Sequence, residues 1–532
     1  MPSPPPSAQS QANTLWRYAF FNFILALLLA GWFWQQNQQV TLVEPKLGDD
    51  GKLQCVSYAP YYGKGQTPFV AGTIISSAQI DQDLKLLATR FRCVRIYSVS
   101  QGLDYVPQAA SGLGLQVLLG AWIGWTPADN DKELSLAIKL ANQYPATVKA
   151  LIVGNEVLLR QEQTETAMAA YLQRAKRETK VPVTYADVWE FWLKHKELEK
   201  SVDFITVHVL PYWEDDPQSI NTALGHASFV MTTLKASFSK PVLIGETGWP
   251  STGRQRGPSA PSLVNEARYL REFVQLAGQQ GWNYNVIEAM DQPWKRLLEG
   301  TVGGYWGLYD SELQPKFGFS GAVAERHDGW LPLIFSATGL LLLGGAVFGR
   351  GQRRISAIVA VASLGALMAA IALLQLQYLI AACRTMTEWV ALGGIVVIGW
   401  LAMLCMPWLT IWQPNQVRWL GQMGAAVLAT GAAIASCLLL LDGRYRDFPL
   451  VLYALPAVQL SLGLWLTRRA RSGWKIFYPI NAIGLASATG CAVMEPSNIH
   501  ALLWLGLVLM LAYATWPNRA KPPSVYSSGI NQ

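Results

Sequence analysis

Residues 240–253 read KPVLIGETGWPSTG, and residues 150–157 read ALIVGNEV. Each stretch is a short apolar run that ends in a glutamate, Glu246 in the first and Glu156 in the second. A carboxylate at the end of a buried strand costs folding free energy, so its presence there indicates a functional role. Functional side chains of parallel β/α barrels gather at the carboxyl ends of the strands, so the two stretches predict an α/β barrel.

The surrounding region, 50–326, has the strand and helix pattern of such a barrel. Short β-type runs alternate with helical patterns such as those at 78–89 and 134–144. Eight strands with helical crossovers in about 275 residues are typical of a closed (β/α)8 TIM barrel. The predicted strands are 53–58, 92–97, 115–121, 150–155, 181–186, 204–208, 242–246 and 285–290.

The rest of the chain is too apolar for an ordinary soluble protein, since the whole sequence is 51% hydrophobic and only 14% charged. An all-α polytopic transmembrane domain of seven helices is predicted at 330–516. The spans are 330–349, 355–381, 388–412, 419–441, 448–467, 475–494 and 500–516. Another transmembrane helix is predicted at 14–35, after a disordered tail at 1–13 that is rich in Pro, Ser and Gln. An uncleaved anchor is favoured over a signal peptide at 14–35, because Trp32 and Trp34 suggest an interfacial belt and no small-x-small cleavage site follows.

Basic residues in alternate loops set the expected topology. They are Arg350, Arg353, Arg354, Arg418, Arg468, Arg469, Arg471, Lys475, Arg519 and Lys521. The positive-inside rule puts these loops in the cytoplasm, together with both termini and the tail at 517–532. The barrel is then extracytoplasmic, on the periplasmic face of a bacterial inner membrane. The net charge of +7 reflects this topology, so nucleic-acid binding is not expected.

The cysteines and histidines indicate neither a metal site nor a cofactor. No Cys-x-x-Cys pair is present, and the five histidines do not cluster with cysteines. Only Cys55 and Cys93 lie in the polar region, at matching heights on the first two predicted strands. An oxidising compartment favours a disulfide between them, but adjacent parallel strands rarely offer bridging geometry, so the sequence leaves both states open.

Glu156 and Glu246 lie on the fourth and seventh predicted strands, which face each other across a barrel mouth. Their carboxyls can therefore flank one bond. Two carboxyls about 5 Å apart suit a retaining glycosidase, in which one is the nucleophile and the other protonates the leaving oxygen. Spacing alone also allows two solvated loop glutamates.

The sequence around these two glutamates resembles that of a known family. The 240–253 stretch is similar to the signature of glycoside hydrolase family 17, the β-1,3-glucanase and glucan-transferase family, and 154–157 is similar to its acid/base segment. The resemblance spans 50–326 and none of the membrane block. Further similar positions follow in order at Tyr58, Val94-Arg95-Ile96-Tyr97 and Pro211-Tyr212.

The resemblance implies that Glu246 is the nucleophile, Glu156 the general acid/base, and Asn155 the residue that holds the sugar 2-hydroxyl. The nucleophile must stay ionised, and Arg95 and Tyr97 are candidates to keep it so. Repulsion from Glu246 is expected to raise the pKa of Glu156.

Aromatic and polar side chains near the predicted strand ends suggest a sugar-lined cleft, since indoles match the apolar faces of sugars. Any single Trp could equally be core. His208 is expected to hydrogen-bond and not to bind metal. The predicted substrate-binding set is Tyr58, Arg95, Tyr97, Trp122, Trp125, Asn155, His208, Tyr212, Trp213, Trp249, Glu288, Asp291, Trp294 and Lys295.

The eighth-strand segment departs from plant hydrolases and looks more like fungal and bacterial members. Which carboxylate supports the site beside Lys295 stays open among Glu288, Asp291 and Glu299. The departure weakens any inference of simple endo-hydrolysis.

The resemblance implies a retaining β-glucan transglycosylase or glucanase, acting on β-1,3- or β-1,6-linked glucan. Transfer is favoured over hydrolysis, since related polytopic bacterial proteins are associated with β-glucan synthesis. Expected partners are the β-glucan, membrane lipid and a glucan synthase. The C-terminal helices are interpreted as an anchor, with a glucan passage or a synthase-docking surface as alternatives, because Gln375 and Gln377 are their main polar intrusions.

Two other classes are disfavoured. A nucleotide-sugar synthase would use an Asp-x-Asp motif, but Asp81 and Asp83 fall in a predicted helix far from the barrel mouth. A non-catalytic glucan-binding scaffold would not need both Glu156 and Glu246 in their family setting.

Overall fold

A computed structural model describes residues 8–70, 72–411, 415–467 and 475–516. The chain forms two compact units. One is Gln38–His327, and the other combines Met1–Asn37 with Asp328–Gln532.

The first unit is built on eight parallel strands that pair in sequence order and close between the last and the first. This confirms the predicted TIM barrel. The strands are β1 (Leu53–Ser57), β2 (Phe91–Arg95), β3 (Gln116–Ala121), β4 (Val148–Asn155), β5 (Val183–Val188), β6 (Ile205–His208), β7 (Val242–Thr247) and β8 (Asn283–Val286).

Seven strands lie within two residues of their predicted bounds, and the eighth does not. β8 ends at Val286, so the predicted strand at 285–290 is wrong at its C-terminal end. After the strand the backbone still contacts β7 and β1, through Ile287 N–H to Thr247 O and Ala289 N–H to Ser57 O, but it also pairs with a later segment. The backbone N–H of Glu288 donates to Trp306 O at 3.0 Å, and the N–H of Leu308 donates back to Glu288 O at 2.9 Å.

Helices on the outside of the barrel cover its apolar strands. Three of them begin at a Ser or Thr whose side chain accepts an N–H of the first turn, namely Ser76, Thr164 and Ser262. The helices are α2 (Ser77–Ala88), α3 (Val106–Ser111), α4 (Pro127–Gln143), α5 (Glu165–Glu178), α6 (Trp189–Lys194), α7 (Ala223–Ser237), α8 (Leu263–Gln280) and α9 (Arg296–Glu299). Short 3-10 helices lie at Leu103–Tyr105, Lys196–Ser201, Pro293–Lys295 and Thr301–Gly304.

Cys55 and Cys93 are direct neighbours in the register of β1 and β2, and they form a disulfide. Both are buried, and they belong to an apolar cluster with Leu118, Ala150 and Ile152. The pairing that the sequence left open is therefore bonded.

The second unit contains long apolar helices at all eight predicted places. They are α1 (Ala8–Gln36), α10 (Leu331–Gly349), α11 (Ile355–Ala382), α12 (Met386–Ile411), α13 (Asn415–Leu441), α14 (Leu450–Thr467), α15 (Phe477–Met494) and α16 (Ile499–Thr515). Within the described residues, six have segments long and apolar enough to cross a membrane, and α14 and α16 contain shorter apolar segments.

The first helix begins earlier than predicted. Residues 8–13 are helical, so their assignment to a disordered tail is wrong, because the helix continues past the apolar run that defined 14–35. The predicted tail segments 1–7 and 517–532 lie outside the described residues.

A chain of buried hydrogen bonds joins α1 to α11 and α14. Tyr18 Oη donates to Gln459 Oε1 at 2.5 Å, and Gln459 Nε2 donates to Asn22 Oδ1 at 2.8 Å. Asn22 Nδ2 donates in turn to Ser363 Oγ at 3.1 Å. Because buried amides need partners, these bonds make α1 an integral part of the helical unit.

Candidate active site

Glu156 directly follows β4 in a backbone conformation that is rare for a residue with a side chain. Its φ is 52°, and that of Gly154 is 82°. A Cβ at Gly154 would lie 2.8 Å from Val157 Cγ2 and 3.0 Å from Met168 Cε, so glycine is required there. The N–H of Glu156 donates to Ala186 O at 2.8 Å, which anchors the turn to β5. Such conformations cluster at functional sites.

Glu246 lies in β7 with its carboxylate buried and bound by two donors. Tyr97 Oη donates to Glu246 Oε1 at 2.8 Å, and Arg95 Nη1 lies 3.2 Å from the same oxygen. Arg95 is itself buried, and it also donates to Gly245 O at 2.7 Å and to Asn155 Oδ1 at 2.6 Å. One guanidinium thus fixes both the buried carboxylate and the amide beside Glu156.

His208, at the end of β6, lies between the two glutamates. Its Nδ1 is 2.9 Å from Glu156 Oε1, and its Nε2 is 3.5 Å from Glu246 Oε1. One carboxylate oxygen of each glutamate and a His208 nitrogen all lie within 4.8 Å of one another. These distances could suit a metal ion, but Arg95 already supplies a cation to Glu246. The two carboxyls are as close as those of retaining glycosidases, which stand about 5–5.5 Å apart.

Comparison with known proteins agrees with this geometry. The family model of the BtgE/BtgC glycoside hydrolase domain matches residues 55–307, which lie inside the barrel unit. A glucan 1,3-beta-glucosidase of Candida albicans is 27% identical over 273 residues, covering 46% of this chain and 87% of the relative. The barrel is similar to the BtgE/BtgC glycoside hydrolase domain over these residues. This confirms the resemblance to family 17 and makes the protein a glycosidase or transglycosylase.

Two further similarities each cover about half of this chain. The probable beta-glucosidase btgE of Aspergillus flavus is 27% identical over 274 residues, which cover 49% of this chain and 43% of that protein. Among solved structures, the family 17 beta-1,3-glucanosyltransferase from Rhizomucor miehei aligns with 27% identity and a TM-score of 0.43. That alignment covers 50% of this chain and 97% of the other.

The electrostatics of Glu156 in the glycoside hydrolase domain differ from expectation. Burial raises the pKa of Glu156. The hydrogen bond and charge of His208, followed by the charges of Arg160 and Arg95, together lower that pKa by more than burial raises it. The net pKa is lowered, so the expected raised value is wrong for this structure. The sequence argument considered repulsion from Glu246 but not the hydrogen bond from β6.

The carboxylate that supports the site beside Lys295 is Glu288. Lys295 Nζ lies 2.8 Å from both oxygens of Glu288, which is fully buried. Burial raises the pKa of Glu288 to about 7 despite the opposing charge of Lys295. Burial likewise raises the pKa of Glu299 to about 7, so the pKa values of both carboxyls lie near neutral pH.

Asp291 belongs to a second buried cluster that the sequence did not reveal. Its Oδ1 lies 3.0 Å from Lys316 Nζ, which also lies 3.1 Å from Glu266 and 2.8 Å from Ser251 Oγ. Burial raises the pKa of Glu266 to about 8. Lys316 and Glu266 lie far from any motif in the sequence, so no local signal marked them.

The predicted aromatic set divides into exposed and buried members. Trp122 is 37% exposed and Trp125 is 68% exposed. Trp294 is half-buried, with its ring 5.4 Å from that of Phe69. Trp213 is also half-buried and stacks on Trp306, with ring centroids 6.2 Å apart.

Tyr58, Tyr212 and Trp249 are fully buried, so the structure gives them a packing role instead of the predicted contact with substrate. Each directs its polar tip to the protein. Their partners are Asp83 for Tyr58, Arg254 O for Tyr212 and Ala260 O for Trp249.

Arg160 is a site residue that the sequence analysis missed. Its Nη1 lies 4.0 Å from Glu156 Oε2, and its guanidinium lies 4.5 Å from the centre of the Trp122 ring. The available signal was its position four residues after Glu156, where one turn returns a side chain to the same side.

Proposed function

We propose that the barrel is a retaining β-1,3-glucan glycosidase that transfers or hydrolyses glucosyl chains, with Glu246 as nucleophile and Glu156 as acid/base. The observation that carries the proposal is the approach of their carboxylate oxygens to within 4.8 Å. That separation leaves no room for the water that an inverting enzyme holds between its carboxyls.

The contacts of Glu246 indicate which oxygen attacks. Arg95, Tyr97 and His208 all approach Oε1, which assigns Oε2 to the anomeric carbon. As the bond from Oε2 forms, the bond to the leaving sugar breaks, and Glu156 gives its proton to the departing oxygen. Asn155 is held through its carbonyl by Arg95, which directs the amide hydrogens toward the sugar 2-hydroxyl.

The second step distinguishes transfer from hydrolysis. Glu156 takes the proton of a sugar hydroxyl or of water, whose oxygen displaces Glu246 from the anomeric carbon. The named activity of the Candida albicans relative supports a β-1,3-linked glucan. Transfer is the favoured outcome, and simple β-1,3-glucan hydrolysis is the runner-up. Products of laminari-oligosaccharides, analysed for length and for β-1,3 or β-1,6 linkage, decide between them.

Azide rescue tests the two roles. In Glu246→Ala, turnover is expected to vanish, and azide in the vacated space should restore it with an inverted glycosyl azide. In Glu156→Ala, a substrate with a good leaving group should still form the glycosyl-enzyme, and azide should give the retained product. The reverse stereochemistry would exchange the roles. Near-normal activity in both variants would refute the catalytic roles of Glu156 and Glu246, whereas a wild type without activity would favour a non-catalytic glucan-binding scaffold.

We also propose that the protein is a multi-pass protein of a bacterial inner membrane with a periplasmic barrel. The apolar helices support membrane insertion, and the disulfide between Cys55 and Cys93 supports an oxidising compartment for the barrel. The proposed division is an anchor at 14–35, a barrel at 50–326 and a seven-helix membrane domain at 330–516. Membrane lipid and a glucan synthase are the proposed partners of that domain.

Reporter fusions test this topology. A reporter after Gly351 is expected to be cytoplasmic, because Arg350, Arg353 and Arg354 lie in the same loop. A reporter after Arg444 is expected outside. Opposite signals at both sites would reverse the proposed orientation.

A further inference from the structure

We propose that Trp122 and Arg160 form the binding platform for the sugar on the leaving-group side of the scissile bond, which is also the acceptor in transfer. The proposal rests on the proposed function and adds a direction to the cleft. The name "acceptor platform" is used below for these two residues.

The position of the platform follows from the role of Glu156. A general acid lies next to the oxygen that it protonates, so the leaving sugar must lie on the Glu156 side of the cleft. Arg160 is 4.0 Å from Glu156 Oε2 and 4.5 Å from the centre of the Trp122 ring. A continuous series of contacts therefore leads from the acid to an indole that is 37% exposed.

The loop that carries Trp122 is fixed before any sugar binds. Asn130 Oδ1 accepts the N–H of Gly124 at 2.8 Å, and Asn130 Nδ2 donates to Gly124 O at 2.9 Å. Gln163, on the loop after Glu156, also donates to Gly124 O at 2.6 Å. These bonds tie the loop after β3 to the loop after β4, which lowers the entropy cost of binding a sugar.

Arg160 is held in place by a third partner. Its Nη2 lies 2.8 Å from Glu162 Oε2. The guanidinium thus covers one side of the indole while its N–H groups contact Glu156 and Glu162. A flat apolar ring beside fixed N–H donors suits a glucose unit, which has apolar faces and hydroxyl edges.

A second aromatic group marks the opposite side of the site. Phe69 is 67% exposed and contacts Trp294 at 5.4 Å between ring centroids. Phe69 follows β1 and Trp294 follows β8, and β8 pairs with both β1 and β7, the strand that carries Glu246. The group therefore lies on the nucleophile side, where the retained part of the donor binds.

Occupancy of the acceptor platform decides the second step. A sugar there places its hydroxyl beside Glu156, which takes the hydroxyl proton while the oxygen bonds to the anomeric carbon. The bond between that carbon and Glu246 breaks, and the Glu246 carboxylate is released. An empty platform leaves water to react instead.

The test compares two donors in the full-length protein. β-Laminaribiosyl fluoride has a leaving group that fills no sugar position, whereas laminaritetraose places sugar units on both sides of the cleaved bond. Trp122→Ala is expected to lower kcat/KM for laminaritetraose about tenfold more than for the fluoride, as loss of one stacked ring implies. The laminaribiose concentration that half-saturates transfer from the fluoride is expected to rise by a similar factor.

Phe69→Ala is the matched control, since it removes an exposed ring from the nucleophile side. It is expected to lower kcat/KM for both donors by the same factor and to leave the half-saturating acceptor concentration in place. An equal loss for both donors in Trp122→Ala would put Trp122 on the donor side and overturn the proposal. A wild-type protein that turns over neither donor would refute the proposed function itself, and the acceptor platform with it.

Discussion

The disulfide between Cys55 and Cys93 is expected to supply much of the stability of the barrel. The bridge joins residues 38 apart in sequence. In the chain-entropy model, closing a loop of that length lowers the free energy of folding by about 4 kcal/mol. A shift of about 2–4 °C per kcal/mol in domains of this size predicts that the barrel melts ~8–15 °C lower without the bridge.

The site itself should survive this loss at low temperature. Ser57 and Arg95, at the ends of the two bridged strands, are held by other bonds. Ser57 Oγ lies 2.8 Å from Tyr97 Oη and accepts from Asn285 Nδ2 at 2.8 Å. The expected effect is therefore a lower melting temperature with little change in kcat/KM at 20–25 °C.

Thermal inactivation and tryptophan fluorescence of the purified protein would measure the effect, with and without reductant. The Cys55→Ala/Cys93→Ala variant is expected to melt near the temperature of the reduced wild type and to show no response to reductant. Equal melting of oxidised and reduced wild type would refute the reasoning. A response to reductant in the double variant would refute it too, since only the four cysteines of the helical unit remain.

Three other predictions concern the polar contacts. His208→Ala removes the charge and hydrogen bond that lower the pKa of Glu156, so the acid form should persist to higher pH. The basic limb of the kcat/KM profile should then move up, and a limb that moves down would contradict the argument. Asn22→Leu removes the acceptor of Gln459 Nε2 in the helical unit, and the melting of the detergent-solubilised protein should show a loss of about 1–3 kcal/mol. Tyr185→Phe removes the hydroxyl that accepts the N–H of Leu158 in the turn after Glu156. The kcat for glucan should then fall about tenfold, and by more than the kcat for β-laminaribiosyl fluoride. An equal fall for both donors would indicate general unfolding.

The parts of the molecule that the sequence predicted well are those set by local pattern. Seven strands follow from apolar runs of the right length, and Glu156 and Glu246 each lie at the end of one. Helix positions in the second unit follow from apolar length alone. In these cases the signal lies in one continuous stretch, so no knowledge of the partner was needed.

The structural features that the sequence predicted poorly depend on partners that are distant in sequence. Glu288 and Asp291 are three residues apart, yet one pairs with Lys295 and the other with Lys316. The segment after β8 also pairs with residues 306–309, and no periodicity in the sequence predicted that pairing. Composition likewise could not separate exposed Trp122 from buried Trp249, because both follow strands and only the packing of later loops covers one of them.

The lowered pKa of Glu156 and its role as an acid agree if the sugar changes its surroundings. In the structure, 24% of the Glu156 side chain is exposed, and His208 donates to it. Burial is already the largest influence on its pKa, and it favours the protonated form. A glucan that covers the exposed part removes water from the carboxylate, which favours its protonated form. We therefore expect Glu156 to take up its proton as the sugar binds, so that the acid is formed only in a filled cleft.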